Sequence, residues 1–359
     1  MSQATYGEPD AIAVVITAAD GRQYVHTTLL RDLEMETASH GGELSASWRV
    51  DAAEPYDNVL AVPSAEAELF DRAGRFRHLR LEHDGGDFFY REASLAFEAR
   101  GFSSHAGDDR FTHAQVYPAG TPIENVFRHA RDELCPLLST SNAAIRPTGI
   151  ALAADSEDFG GKTAKAVFNA MAALAGVRWH IWSQDAGRPY LEVVRPSSVA
   201  DYVVRLPDQA AASIGWDLQN LYNRVLVKWS DGYAWADDMD SQHTYGLRRT
   251  YFVDRSQDLV DEGSAFAVAS SLLGNFGGLP VDGFGVSLDY GVPLWDANGA
   301  QVPLWRANAG RTYELQGLVL GTPGLPTTFV AQQTIFSGNA LNIVPIPPDV
   351  LTDLALSTR

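Results

Sequence analysis

The stretch Asp217–Gly232, DLQNLYNRVLVKWSDG, decides how this chain is divided. Its lead-in is polar, with Asn220 and Asn223, and it then alternates. Val225, Val227 and Trp229 fall on one side, Leu226, Lys228 and Ser230 on the other. Successive strand side chains point to opposite faces, so this alternation, closed by Ser-Asp-Gly, predicts a β-strand and a hairpin turn. A fresh β-region therefore opens at about residue 213, well past the middle of the chain.

Upstream of it, residues 116–212 predict a mixed α+β unit. In YPAGTPIENVFRHARDELCPLL (Tyr117–Leu138), Thr121 reads as a helix N-cap, Pro122 as the first helical residue, and Glu124 lies in the first turn. Ile123, Val126, Phe127, Ala130 and Leu134 share one face, and Pro136 ends the helix. A second helix is expected over KTAKAVFNAMAALAGV, with Gly176 as its stop. RWHIWSQDAGRPYLEVVRP follows as a hairpin about Asp185-Ala186-Gly187.

Residues 1–115 read as all-β. AIAVVITAADGRQYVHTTLL is a strand, an Asp20-Gly21 turn and a return strand. The run from Leu69 to Phe102 repeats the device, with turns at Ala73-Gly74 and Asp84-Gly85-Gly86, and ends in the alternating SLAFEARGF. Towards the C-terminus, VDEGSAFAVASSLLGNFGG has helical spacing and a Gly274 or Gly277-Gly278 stop. Val292-Pro293-Leu294-Trp295 is then echoed by Val302-Pro303-Leu304-Trp305 across Asn298-Gly299, as two arms of one hairpin. The fold class expected is α+β, mostly β. Small β-barrel domains occupy 1–115 and 213–250 with 305–350, a middle α+β domain 116–212, an insertion domain 251–304 and a tail 351–359.

Composition narrows the function. With 45 acidic and 27 basic side chains the net charge is −18, which disfavours binding through phosphate neutralisation or docking on anionic lipid. Cys135 is the sole cysteine, so it forms no intrachain disulfide, and before Pro136 it reads as a small buried residue. MSQATYGEPD lacks the basic and apolar regions of a secretory signal, and no apolar stretch reaches membrane-spanning length.

Motifs with chemistry are missing. Gly160-Gly161-Lys162-Thr163 resembles a phosphate loop, but Ser156 stands where its leading glycine belongs. His78, His83, His105, His113 and His180 form no metal-ligand spacing, and Asp237–Asp240 lacks the alternation, glycine and closing glutamate of a calcium loop. No GxSxG elbow occurs, and nothing prefers a carboxylate pair such as Asp57 with Glu82 over many others. No catalytic, cofactor-binding or metal residue is assigned, no cofactor is expected, and the chain is read as a non-enzyme. Trp229, Tyr233, Trp235, Trp295 and Trp305 suit a sugar platform, although core filling or a subunit interface is the commoner use of such residues.

Three stretches carry a resemblance: DAIAVVITAADGRQY with ASLAFEARGF, AGTPIENVFRHARDELCP, and DLQNLYNRVLVKWSDG. In this order they resemble the baseplate hub proteins of tailed phages and related contractile injection machines. The resemblance implies two similar barrels per chain and a homotrimer forming a pseudo-six-fold ring. Such a ring joins a six-fold tail tube or distal tail protein to a three-fold spike or tail-fibre protein. It implies a place in the virion tail tip or baseplate after assembly in the host cytoplasm. DNA would pass through the lumen without stable binding, and no membrane is engaged in the isolated state. Asp217–Asn223 would then be the crossing into the second barrel. The two proposed barrels share no obvious identity, so the pseudo-repeat rests on the resemblance. The alternative is a tail-associated glycan hydrolase or carbohydrate-binding module, and oligomeric state separates the two readings.

Overall fold

A computed structural model describes residues 12–18, 21–26, 31–51, 65–81, 94–183, 187–195, 197, 199–205, 215–216, 221–259, 261–275, 281–282, 286–289, 292–316, 328–338 and 340–345. The first strands are β1 Ala13–Thr17, β2 Gln23–His26, β3 Arg31–Ala38, β4 Gly41–Asp51, β5 Glu66–Asp71, β6 Gly74–Leu81 and β7 Ser94–Gly101. Helices α1 Ile123–Leu134 and α2 Ala164–Ala175 precede β8 Arg178–Trp182, β9 Tyr190–Val194, β10 Tyr202–Arg205 and β11 Gly215–Trp216. Next come β12 Arg224–Trp229, β13 Gly232–Asp237, α3 Met239–Tyr245, β14 Thr250–Asp254 and α4 Glu262–Asn275. The last strands are β15 Val281–Asp282, β16 Val286–Asp289, β17 Leu294–Asp296, β18 Gln301–Val302, β19 Thr312–Gln316, β20 Thr328–Ser337 and β21 Ala340–Pro345.

The local readings mostly hold. Ile123, Val126, Phe127, Ala130 and Leu134 are the buried face of α1, joined by Arg131. Gly176 ends α2 in the left-handed conformation at φ 65°, which costs a glycine nothing. β8 and β9 pair antiparallel, and Leu294 and Trp295 pair with Val302 and Gln301 as two arms of a hairpin. Three details differ. Pro122, not Thr121, occupies the N-cap of α1, and the Thr121 hydroxyl instead donates to the Pro118 carbonyl at 2.7 Å. Asp237–Asp240 runs from the end of β13 into a helix rather than forming a plain turn, with Asp238 accepting from Ser241 N at 2.9 Å to cap α3. Leu304–Arg306 forms a 3₁₀ turn, because Pro303 removes the donor that would extend the strand. The Asp217–Asn220 part of the crossing, the Asp185-Ala186 turn, Gly277-Gly278 and the 351–359 tail lie outside the described residues.

The larger difference is topological. A sheet of 16 described strands, curled as a half-barrel, runs β18-β17-β10-β19-β20-β3-β4-β7-β6-β5-β1-β2, with β21, β16, β8 and β9 branching from it. The β3–β20 ladder, from Gln333↔Ala38 to Ser337↔Glu34, joins the N-terminal strands to the C-terminal ones. They also bury a common core: Val14, Ile16, Trp48, Leu69 and Phe76 belong to one cluster with Val204, Tyr313, Leu315, Phe336 and Ile343. The two β-regions read as separate barrels are thus continuous in this structure.

The stretch that opened the reading is a strand, but it joins neither barrel region. β12 pairs antiparallel with β13 and parallel with β14 in a three-stranded sheet of its own. Its inward Val225 and Val227 are fully buried and share a second core with α1, α2, β8, β9 and α4. So, among the described residues, 213–250 shares no ladder with 305–350, while β16–β18, expected within the insertion, join the large sheet. Period-two alternation specifies a buried face but not which partner strand or helix covers it. The matching apolar face of α4, with Ala265, Val268 and Ala269 buried, is the partner here. Burying each valine stabilises this layer by roughly 1.5–3 kcal/mol.

Candidate functional site: the polar joint between the two cores

Where the two cores meet, β8 runs beside β4 and every one of its residues, Arg178 to Trp182, is buried. A strand covered on both faces usually reads as continuously apolar. Here it carries Arg178 and His180, and their polar groups need partners. Arg178 finds one in Trp305–Tyr313, the segment that leads from β18 into β19. Arg178 Nη1 donates to the Gly310 carbonyl at 2.9 Å. The His180 ring lies against Gly310 so closely that a Cβ there would sit 2.1 Å from Nε2. Gly310 also has φ +74°, so both space and backbone call for glycine.

Two carboxylates anchor the joint. Glu192 accepts from Trp182 Nε1 at 2.7 Å and from Arg311 Nη2 at 2.8 Å. His180 Nδ1 stands 3.2 Å from the same oxygen, but neither ring nitrogen makes a well-aligned hydrogen bond. Burial pushes Glu192 up, yet His180, Arg311 and Trp182 more than offset it and hold the carboxyl at about 2. Burial keeps the His180 ring below its ordinary value, and hence neutral, despite the adjacent Glu192. Glu43, 1% exposed, lies deeper. It accepts from the Ser183 hydroxyl, and its Oε1 is 3.6 Å from Arg77 Nη1. Burial raises the Glu43 carboxyl above its usual range even though Arg77 and Ser183 pull it down.

Arg77 then reaches back to the 305–313 segment, donating to Asn308 Oδ1 at 2.9 Å and to the Trp305 carbonyl at 3.4 Å. Asp71 accepts from Trp305 Nε1 at 2.9 Å and from two Arg306 nitrogens at 2.6 Å each. On the other side, the Thr37 and Thr334 hydroxyls lie 2.6 Å apart, and Ala309 N donates to Thr37 Oγ1 at 2.8 Å. One short segment therefore fastens β3, β5, β6, β8, β9 and β20 together. Its acids and bases are consumed by each other, which suits rigidity rather than turnover.

The residues weighed from the sequence are dispersed. His78 Nε2 is 2.9 Å from Glu66, His105 is 3.1 Å from Asp108, and His113 stacks edge-on to Phe111. Among the described residues, no group of three or more His, Cys, Asp or Glu converges to hold a metal. The Gly160–Thr163 loop spends its N–H groups internally: Gly160 donates to Asp158, Gly161 to Phe111 O, and Lys162 to Phe159 O. Cys135 is buried, and its thiol is pushed up to about 12, chiefly by burial. Trp305 is core, whereas Tyr233 and Trp235 are half exposed. Asp57, Glu82 and His83 lie outside the described residues. A cleft of about 790 Å³ opens beside α2, lined among others by His40, Asp155, Asn169 and Arg255. Burial lowers His40 to about 3 there, so its ring is neutral.

The joint residues were not legible as a set, since Thr37, Glu43, Arg77, His180, Glu192 and Arg311 are spread over most of the chain. The usable signal was Arg178 and His180 inside RWHIW, charged groups in an otherwise buried strand.

No family model matches the chain, and no curated protein sequence matches it. Solved structures do. Over 96% of its length it is similar to the tail protein from Neisseria meningitidis MC58, with TM-score 0.55, 11% identity and 99% of that chain covered. The 43 kDa tail protein of prophage MuSo2 from Shewanella oneidensis gives TM-score 0.55 and 12% identity, over 94% of this chain and 99% of that one. Prophage tail protein gp18 from Listeria monocytogenes EGD-e gives 0.58 and 11%, over 96% and 98%. The chain has the fold of phage tail proteins. This agrees with the resemblance carried by the three sequence stretches. At 94–96% coverage of this chain, the match takes in most of both cores.

Proposed function

We propose that the chain is a structural subunit of a phage-type tail, a hub at the baseplate or tip. Three copies form a pseudo-six-fold ring that joins the tail tube to a three-fold spike or fibre. The observation that carries this reading is the tail-protein fold matched over nearly the full length of both chains. The joint supports it, because a ring that bears load needs its parts locked, and every charged group at the joint is tied to another element. The role is mechanical: no residue is catalytic and no cofactor takes part. The protein resides in the virion tail after assembly in the host cytoplasm.

Charge suits a conduit. Each Lys or Arg that binds DNA phosphate gains free energy from counterion release and slows transit. A surface with excess carboxylate repels the backbone over roughly 8 Å at physiological salt. The charge of −18 per copy supplies that excess, tripled in a trimer. Sedimentation of the full chain tests the reading: a trimer is expected, with no retention of duplex DNA at low salt. A strict monomer, or micromolar DNA binding, contradicts it.

A further inference from the structure

The three-stranded sheet has an outer face that breaks the rule for a half-buried sheet. Its inward residues are covered by α4, so the outward positions should be polar. Instead, Leu226 stands in register with Trp235 on β13 and with Phe252 on β14, making one apolar row across the sheet. In the next row Lys228 is flanked by Tyr233 and Asp254, and in the row on the other side Arg224 by Asp237 and Thr250. Trp235 is 49% exposed, Phe252 52% and Tyr233 54%. Aromatic side chains bury about 150–250 Å² each when covered, so the half-exposed rings leave on the order of 300 Å² of apolar surface. That is the lower end of the largest apolar patch on a typical monomer, about 300–600 Å², a class of patch that is often functional.

The charges on this face cancel. Lys228 Nζ donates to Asp254 at 3.0 Å, and Arg224 lies 3.7 Å from Asp237 with its guanidinium 5.3 Å over the Trp235 ring. Two cations and two carboxylates make a neutral rim around an aromatic centre, in a molecule that is otherwise strongly acidic. Copies carrying −18 each repel, and they approach at least cost through a face that is locally neutral and apolar. A cyclic ring also needs two unlike patches per copy. Phe266, 54% exposed on α4, supplies a second apolar point on the same sheet-and-helix layer.

We propose that the outer face of β12–β14 is a contact between copies of this chain, centred on Trp235, Leu226 and Phe252. The inference rests on the ring reading for the existence of such a contact and adds the surface that makes it. A stable interface takes about 800 Å² per partner, so this patch is its centre and not its whole extent.

The test is sedimentation equilibrium of the full chain and of Trp235→Glu, Phe252→Lys and, as a control, Val199→Lys, whose position is 72% exposed elsewhere. The wild type is expected to assemble. Each face variant should raise the half-assembly concentration at least about tenfold, as expected of a hot-spot residue, and the control should not. A far-ultraviolet dichroism spectrum like that of the wild type establishes that the variants fold, and if Trp235→Glu does not, Phe252→Lys and Tyr233→Glu carry the measurement. A wild-type trimer whose face variants assemble equally tightly overturns this inference and leaves the ring reading standing. A wild-type monomer overturns both. Binding of chito-oligosaccharide by that monomer, lost in Trp235→Ala, would assign the face to sugar instead.

Discussion

The two cores are built in opposite ways. The core around α1, α2 and β12–β14 draws on residues 102–269, neighbours along the chain, whereas the core of the large sheet joins residues 12–99 to residues 204–343. The first lies within one span of the chain, Phe102 to Ala269. The second must bring together strands such as β3 and β20, whose Thr37 and Thr334 hydroxyls meet from 297 residues apart. Long closures cost more entropy and offer no local cue, so the second core needs fasteners that the first does not. The joint at Trp305–Tyr313 is that fastener, and it touches both cores. If this contrast is right, damage to the joint should destabilise the whole molecule in one transition.

The largest effect is expected from Arg77→Ala. The Arg77 and Glu43 side chains are 3% and 2% exposed, so the change strands a buried carboxylate and frees the Asn308 acceptor. Removing one member of a buried pair typically costs about 3–5 kcal/mol. Denaturant curves followed by tryptophan fluorescence and by helix dichroism should shift together. If the helix signal keeps its wild-type midpoint while the fluorescence moves, the two cores are independent and the contrast breaks. Combining Arg77→Met with Glu43→Gln should recover part of the loss, because no charge is then left buried alone.

A smaller and pH-dependent loss is expected from Glu192→Gln. The Glu192 carboxyl is held at about 2, against 4.5 when free, by His180, Arg311 and Trp182 working against burial. At about 1.4 kcal/mol per unit, that difference is worth about 3 kcal/mol. The folded-state value is depressed, so this contribution is complete above the free value and is lost as pH falls through about 2. Urea midpoints of wild type and variant should therefore lie far apart at neutral pH and converge in acid. A gap of constant size down to pH 2 would show that Glu192 acts by shape and not by charge.

The same contrast explains what could be read from the letters. Helix faces and hairpins were legible because their cues lie within a few residues: Ile123 to Leu134 on α1, Gly176 after α2, Asn298-Gly299 between β17 and β18. Even the strand from Arg224 to Trp229 was placed correctly, with Val225 and Val227 inward. Its membership was not. Alternation fixes which face is buried, yet α4 and a distant β-sheet offer equally apolar cover, and only the fold chooses between them. The joint was less visible still, since its members interrupt their own local patterns. Arg77 sits in Gly-Arg-Phe-Arg-His-Leu and Glu192 in Tyr-Leu-Glu-Val-Val, where each reads as an ordinary outward strand position.

The finest probe of the fastener is Thr37→Val, which keeps shape and β-propensity but deletes one hydroxyl. That hydroxyl meets Thr334 on β20 at 2.6 Å and accepts from Ala309 N at 2.8 Å, and Thr37 is 2% exposed. Its removal leaves a buried backbone donor and a buried hydroxyl short of a partner, at a cost of about 1–3 kcal/mol. Thr334 keeps a weak alternative in the Ala307 carbonyl at 3.4 Å, so the lower half of that range is expected. Hydrogen exchange tells more than the midpoint here. Faster exchange should appear at Ala309 and along the β3–β20 ladder, while the amides of α1 and α2 change only as far as global stability does. Equal local acceleration in α1 and α2 would mean that the threonine pair serves the molecule at large, and the fastener would have to be sought elsewhere along the 305–313 segment.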